Sequence, residues 1–169
     1  MLISRMNFAV SSFVNAEVSP LAMMEFELRL TEIMREFLRA ILQAVLNRLE
    51  IAEIEQMPGA IHHAGTNYRR MSEKTPHTNI LSTFGIVELV RATYRQGSSG
   101  KTIAPLEKAL GIEQAATPAA LDMVGREMAA TGASQKRAIE AIVELTGAKI
   151  GAPKLRKLTD RLAEQMSPF

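Results

Sequence analysis

The sequence predicts a mainly α-helical protein: a long N-terminal helix, a small β-hairpin, and a C-terminal bundle of short helices resembling helix-turn-helix. Three observations point there. Leu30, Ile33, Phe37, Ile41, Val45 and Leu49 recur at helical spacing. Around Phe84-Gly85 the pattern shifts to short alternating runs, with Val87 and Leu89 set against Glu88. Beyond Pro105, prolines that suit a first helical turn alternate with glycines that end one. The chain accordingly divides into an N-terminal segment with its long amphipathic helix (1–59), a basic loop and hairpin (60–104) and a helical module (105–169).

Ser19-Pro20 opens the long helix, because serine caps free N–H groups and proline fits the first turn. Leu38, Leu42 and Leu46 widen its apolar stripe, and Met57-Pro58-Gly59 stops it after about Gln56. Such a helix is about 50 Å long, so its stripe needs a covering partner. Residues 60–77 read as a polar, basic loop. Two strands are expected over 79–84 and 86–95, then a glycine/serine turn from Gln96 to Lys101 and a short return strand at Thr102-Ile103. Four helices follow. One runs from Pro105 to a stop at Gly111, one from Thr117-Pro118 to Gly132, one from a Ser134 cap to Gly147, and one from Pro153 with Leu155, Leu158 and Leu162 inside.

Composition excludes several classes. Apolar content of 47% and charged content of 22% fit a folded chain. Cysteine is absent, which excludes disulfides and thiolate metal sites. No apolar run reaches membrane-spanning length. The apolar stretch after Arg5 is short and interrupted by Ser11, Ser12 and Asn15, so a cytoplasmic protein is expected rather than a secreted one. The formal charge of +2 conceals segregation: net −4 over 17–56, +4 over 60–102 and +3 over 148–169. Basic segments flanking an acidic one can build a local phosphate-binding face.

Gly100-Lys101-Thr102 matches the end of a phosphate-binding loop. Arg95, however, occupies the position of the first glycine, and Pro105 falls where a helical turn would donate N–H groups. A turn carrying a lysine is the expected reading. His62, His63 and His77, even joined by Glu73, have irregular spacing for a metal site and read as solvated loop residues, so neither metal nor cofactor is expected. No nucleophile elbow appears and no catalytic set assembles, which predicts a non-enzyme. The terminal helix instead carries Lys154, Arg156, Lys157 and Arg161, with Lys149 just before it, residues suited to duplex DNA phosphates.

The ordered segments "TFGIVELVRATYR", "IAPLEKALGI", "ATPAALDMVGREMA" and "SQKRAIEAIVELTGAKIGAPKLRKLTDRLA" resemble the N-terminal region of bacterial insertion-sequence transposases of the ISKra group. The matching positions are Phe84-Gly85, Pro105-Leu106-Glu107, Leu110-Gly111, Thr117-Pro118-Ala119, Val124-Gly125 and Leu155-Arg156-Lys157, over about half the chain. The resemblance implies binding at transposon ends by the helical module, with dimerisation. Such transposases carry their acidic metal-binding triad in a ribonuclease-H-like domain further along, so catalysis is not expected within residues 1–169. Some relatives place zinc-binding cysteines near the hairpin, and here a metal-free hairpin must serve.

Two functional readings result. One is a non-enzymatic, transposase-derived protein that binds duplex DNA through residues 149–161, helped by Arg91, Arg95 and Lys101. The alternative is an interaction subunit that oligomerises or docks on a protein partner through Ile33, Phe37, Ile41, Val45 and Leu49 of its long helix.

Overall fold

In the computed structural model, which describes residues 2–49, 57–71, 77–98 and 100–166, the chain is mainly helical with two small antiparallel sheets. Helix α1 (Leu2–Val14) precedes α2 (Pro20–Leu49). No element is expected from the sequence where α1 lies. It folds back on α2 by burying Ala9, stacking Phe13 on Phe26 with ring centroids 4.6 Å apart, and pairing Arg5 with Glu36. At the start of α2 the Ser19 hydroxyl accepts from the Ala22 N–H at 3.1 Å, the expected cap. The expected continuation to Gln56 lies outside the described residues.

Residues 60–77, expected as loop, instead hold β1 (Ala60–His63) and β2 (Thr66–Arg70), paired with Ile61 opposite Tyr68. The turn between them places Ala64 and Gly65 at φ 49° and 76°, the mirror-image turn that matches strand twist. The expected strand over 86–95 divides in two. β4 (Gly85–Val90) pairs with β3 (His77–Ser82), and its last partner is His77, opposite Val90. Beyond that register the chain changes sheets: β5 (Tyr94–Arg95) pairs with β2 on one side and with β6 (Thr102–Ile103) on the other. Gly100-Lys101-Thr102 therefore closes a β-hairpin, where the Gln96 N–H donates to the Lys101 carbonyl at 3.1 Å.

The β3–β4 hairpin sits between two cores. Ile80, Val87 and Leu89 point to one side and bury Leu46 of α2 together with Ile112. Leu81 and Ile86 point to the other side, into the core of the last three helices. Both hairpin edges are covered. On β4, the Glu88 and Val90 N–H groups donate to Gln43 and Asn47, two polar side chains one helical turn apart on α2. On β3, Leu81 exchanges backbone bonds of 2.9 Å with Ala115 and Thr117. Uncovered edges would leave peptide groups unpaired and open to other chains.

After the short helix α3 (Pro105–Ala109) come α4 (Pro118–Ala130), α5 (Gln135–Thr146) and α6 (Ala152–Met166). Leu121, Val124, Ala138, Ile142, Leu155 and Leu158 form their shared core. Thr117 caps α4 as expected, whereas Ser134 stands at the start of α5 without a side-chain cap bond. The C-terminus of α5 meets the other elements. Arg35 of α2 donates to the Glu144 carbonyl at 3.1 Å, satisfying an unpaired end group of the helix. Gly85 packs so closely that a Cβ there would lie 3.0 Å from the Thr146 carbonyl oxygen.

Gly85 also has φ 113°, a conformation that L-residues resist. Gly85→Ala should lower stability in chemical denaturation by more than about 1 kcal/mol. Gly132→Ala is the control, since Gly132 shares a positive φ (62°) but has open space around its Cβ position. It should destabilise less than Gly85→Ala. Equal losses at the two positions would show that the contact with α5 carries no weight.

Candidate nucleic-acid interface

Helix α6 packs by its leucines. Leu155 and Leu158 are fully buried, and Leu162 lies against Gly125 of α4, 3.4 Å from where a Cβ would stand. The 3–4 residue spacing of those leucines fixes which side chains point outward. Arg156 and Lys157 in the first half of the helix, and Asp160 and Glu164 in the second, are exposed. Lys149, in the connection from α5, is exposed too. The exposed face of α6 is thus cationic near its N-terminus, where the unpaired N–H groups add positive potential.

The eight basic residues singled out from the sequence have different fates. Lys154 turns away from solvent and donates from Nζ to the Gln114 and Ala115 carbonyls, the latter at 3.0 Å. Burial lowers its pKa, and neighbouring Lys157 adds to the effect. Arg161 grips Glu113 with two guanidinium nitrogens and reaches Glu164 at 3.0 Å with the third. Hydrogen bonds to Glu113 first, then Glu164, raise its pKa further. Arg91 pairs with Glu107 in a half-buried setting. Arg95 donates to the Ser98 carbonyl at 3.3 Å.

Lys149, Arg156, Lys157 and Lys101 remain as exposed cations, and none of the four joins an ion pair among the described residues. Lys149, Arg156 and Lys157 belong to the three-helix module. Lys101 belongs to the four-stranded sheet, whose core of Tyr68, Ala92 and Tyr94 is separate. Two further exposed cations, Lys136 and Arg137, occupy the first turn of α5.

The histidines are strand residues rather than loop residues. His62 Nδ1 lies 2.8 Å from Asn67 Oδ1, and His63 Nε2 lies 2.7 Å from Lys108 Nζ. The side chain of His77 and all of Glu73 lie outside the described residues. Among the described residues no group of three or more histidine, aspartate or glutamate side chains could hold a metal ion.

Of the residues expected to meet a partner, Ile33 is only 4% exposed and lines the α1–α2 junction with Phe8 and Ala9. It is covered from within, because α1 occupies that side of α2. Phe37, Ile41, Val45 and Leu49 are 42–55% exposed. No helix among the described residues is long and apolar enough to cross a membrane. Comparison with protein-family models, with curated proteins and with solved structures finds no match for this chain.

Lys154 and Arg161 act within the fold. Lys154→Ala removes two hydrogen bonds that hold the segment at Gln114 and Ala115, and should cost about 1–2 kcal/mol in denaturant unfolding. Arg161→Ala should also lower the unfolding midpoint, whereas Lys149→Ala should leave it unchanged. A stability loss for Lys149→Ala as large as the other two would contradict this division.

Proposed function

We propose that this chain is a non-enzymatic DNA-binding protein of transposase-like origin, in which α5 and α6 act as a helix-turn-helix on duplex DNA in the cytoplasm. The carrying observation is the division of cations on α6. Lys154 and Arg161 are held by internal partners, while Arg156 and Lys157 stand free on the exposed first half of the helix. A solvated helix needs no such placement, whereas a helix offered end-on to a groove needs its cations there. Lys149, before the helix, and Lys136 and Arg137, at the start of α5, supply further phosphate contacts on the same module. The ordered resemblance to insertion-sequence transposases supports the same target.

Binding of labelled duplex DNA measured at low and physiological salt tests the proposal. With those five cations on phosphates, affinity should drop about 500-fold for a fourfold rise in salt, because each contact releases a counterion. Arg156→Ala with Lys157→Ala should weaken binding at least tenfold while leaving the unfolding midpoint in place. Wild-type affinity in that double variant rules out α6 as the reading helix. Salt-independent binding rules out phosphate contact altogether.

A further inference from the structure

Three sides of α2 can be distinguished. α1 covers the side of Ala22, Phe26 and Ile33. The β4 edge covers the side of Gln43, Leu46 and Asn47. On the third side Leu30, Met34, Phe37, Leu38, Ile41, Val45 and Leu49 share one face, each three or four residues from another of the set. From Met34 to Leu49 these side chains are 37–55% exposed. Leu30, Met34 and Leu38 also line an open groove of about 450 Å³ with Phe84 and Leu145, which widens the apolar surface. A stripe this continuous is far from the isolated exposed apolar residue that any surface shows.

We propose that a second copy of this chain covers that stripe, with the two α2 helices antiparallel about a two-fold axis between Phe37 and Leu38. The sequence of the stripe is complementary to itself in that direction. Positions equally distant from the axis face each other across it, as an isologous contact requires. Phe37 then meets Leu38, Met34 meets Ile41, and Leu30 meets Val45, so apolar groups face apolar groups throughout.

Charge fixes the direction. The facing apolar residues from Leu30 to Val45 are flanked by Glu27 on one side and Arg48 on the other, both exposed, and neither joins an ion pair among the described residues. The same axis brings Glu27 of each copy against Arg48 of the other. More broadly, the first half of α2 carries Glu25, Glu27 and Glu32 against Arg29, and the second half carries Arg35, Arg39 and Arg48 against Glu36. Antiparallel copies set acidic half beside basic half, whereas parallel copies set like against like. The proposal does not depend on DNA binding.

The absence of cysteine from the chain makes the test direct, because an introduced thiol is unique. Leu38→Cys, next to the axis, should cross-link to itself through a short bis-maleimide. Val45→Cys should not, since two copies of Val45 stand about 22 Å apart in this register. Mixing Val45→Cys with Leu30→Cys should restore the cross-link. Sedimentation of the full chain should give twice its 18.6 kDa mass. Glu27→Arg or Arg48→Glu alone should raise the dimer dissociation constant about tenfold, and the two together should return it to near wild type.

A monomer at about 100 µM overturns the proposal, since that implies at best a millimolar affinity. Self-cross-linking of Val45→Cys as efficient as that of Leu38→Cys overturns the antiparallel register. A dimer in which the paired charge swap is no tighter than the single swaps also overturns it. Circular dichroism of each variant must match wild type, and the cross-linking result stands without the charge variants if one of them unfolds.

Discussion

The β3–β4 hairpin is the constraint on which the other elements depend. Two strands alone are marginal in water, and among the described residues this pair has no third strand to complete a sheet. It survives by having both faces buried and both edges bonded. Those four surfaces draw in most of the chain: α2 covers one face by its leucines and one edge by Gln43 and Asn47, α3 and Ile112 share that face, the residues before α4 bond the far edge, and the three-helix core lies behind Leu81. Gly85, where the hairpin turn enters β4, lies against the end of α5. The burial of Ser82 follows from this: its hydroxyl donates to the Gly85 carbonyl at 2.7 Å and accepts from the Phe84 N–H, so no polar group is left unbonded.

Much of this was legible in the sequence because the signals are local. Helix starts at Ser19-Pro20 and Thr117-Pro118, the stop at Gly147, and the alternation of Val87 and Leu89 all report on neighbours within four residues. The β1–β2 hairpin escaped because its turn is Ala64-Gly65 rather than an asparagine or aspartate followed by glycine, and because Tyr68 is the only apolar residue in β2. The break after Val90 escaped for another reason. Ala92 and Tyr94 alternate as Val87 and Leu89 do but one residue out of phase, and within a single apolar stretch that shift is the one local mark of where pairing with β3 ends. Helix α1 was obscured by the serines of its polar side, which read as interruptions in an apolar run.

The candidate site was legible by composition and illegible by assignment. A helical wheel places Arg161 among the outward cations of α6, yet its partner Glu113 lies 48 residues earlier. Lys154 likewise finds its carbonyl partners 40 and 39 residues away. Contacts at such separations arise only once the segment before α4 has been drawn to the hairpin edge. Gln43 and Asn47 show the converse. On a sequence they are two neutral polar residues interrupting an apolar helix, and only the presence of β4 beside them turns the interruption into an edge cap.

The charge polarity of α2 bears on how far its free face can be explained by the single chain. Acidic groups near a helix N-terminus and basic groups near its C-terminus complement the helix dipole, and Arg48 in the last turn fits that account. Several mid-helix charges have partners within the chain: Glu36 holds Arg5, and Arg35 holds the end of α5. Glu27 fits neither account. It lies two turns inside the helix, beyond the reach of the terminal dipole, and its side chain has no ion-pair partner among the described residues. What distinguishes its position is that it stands as far before the Phe37–Leu38 boundary as Arg48 stands after it. An acidic residue that neither account explains therefore sits where a two-fold partner would need it.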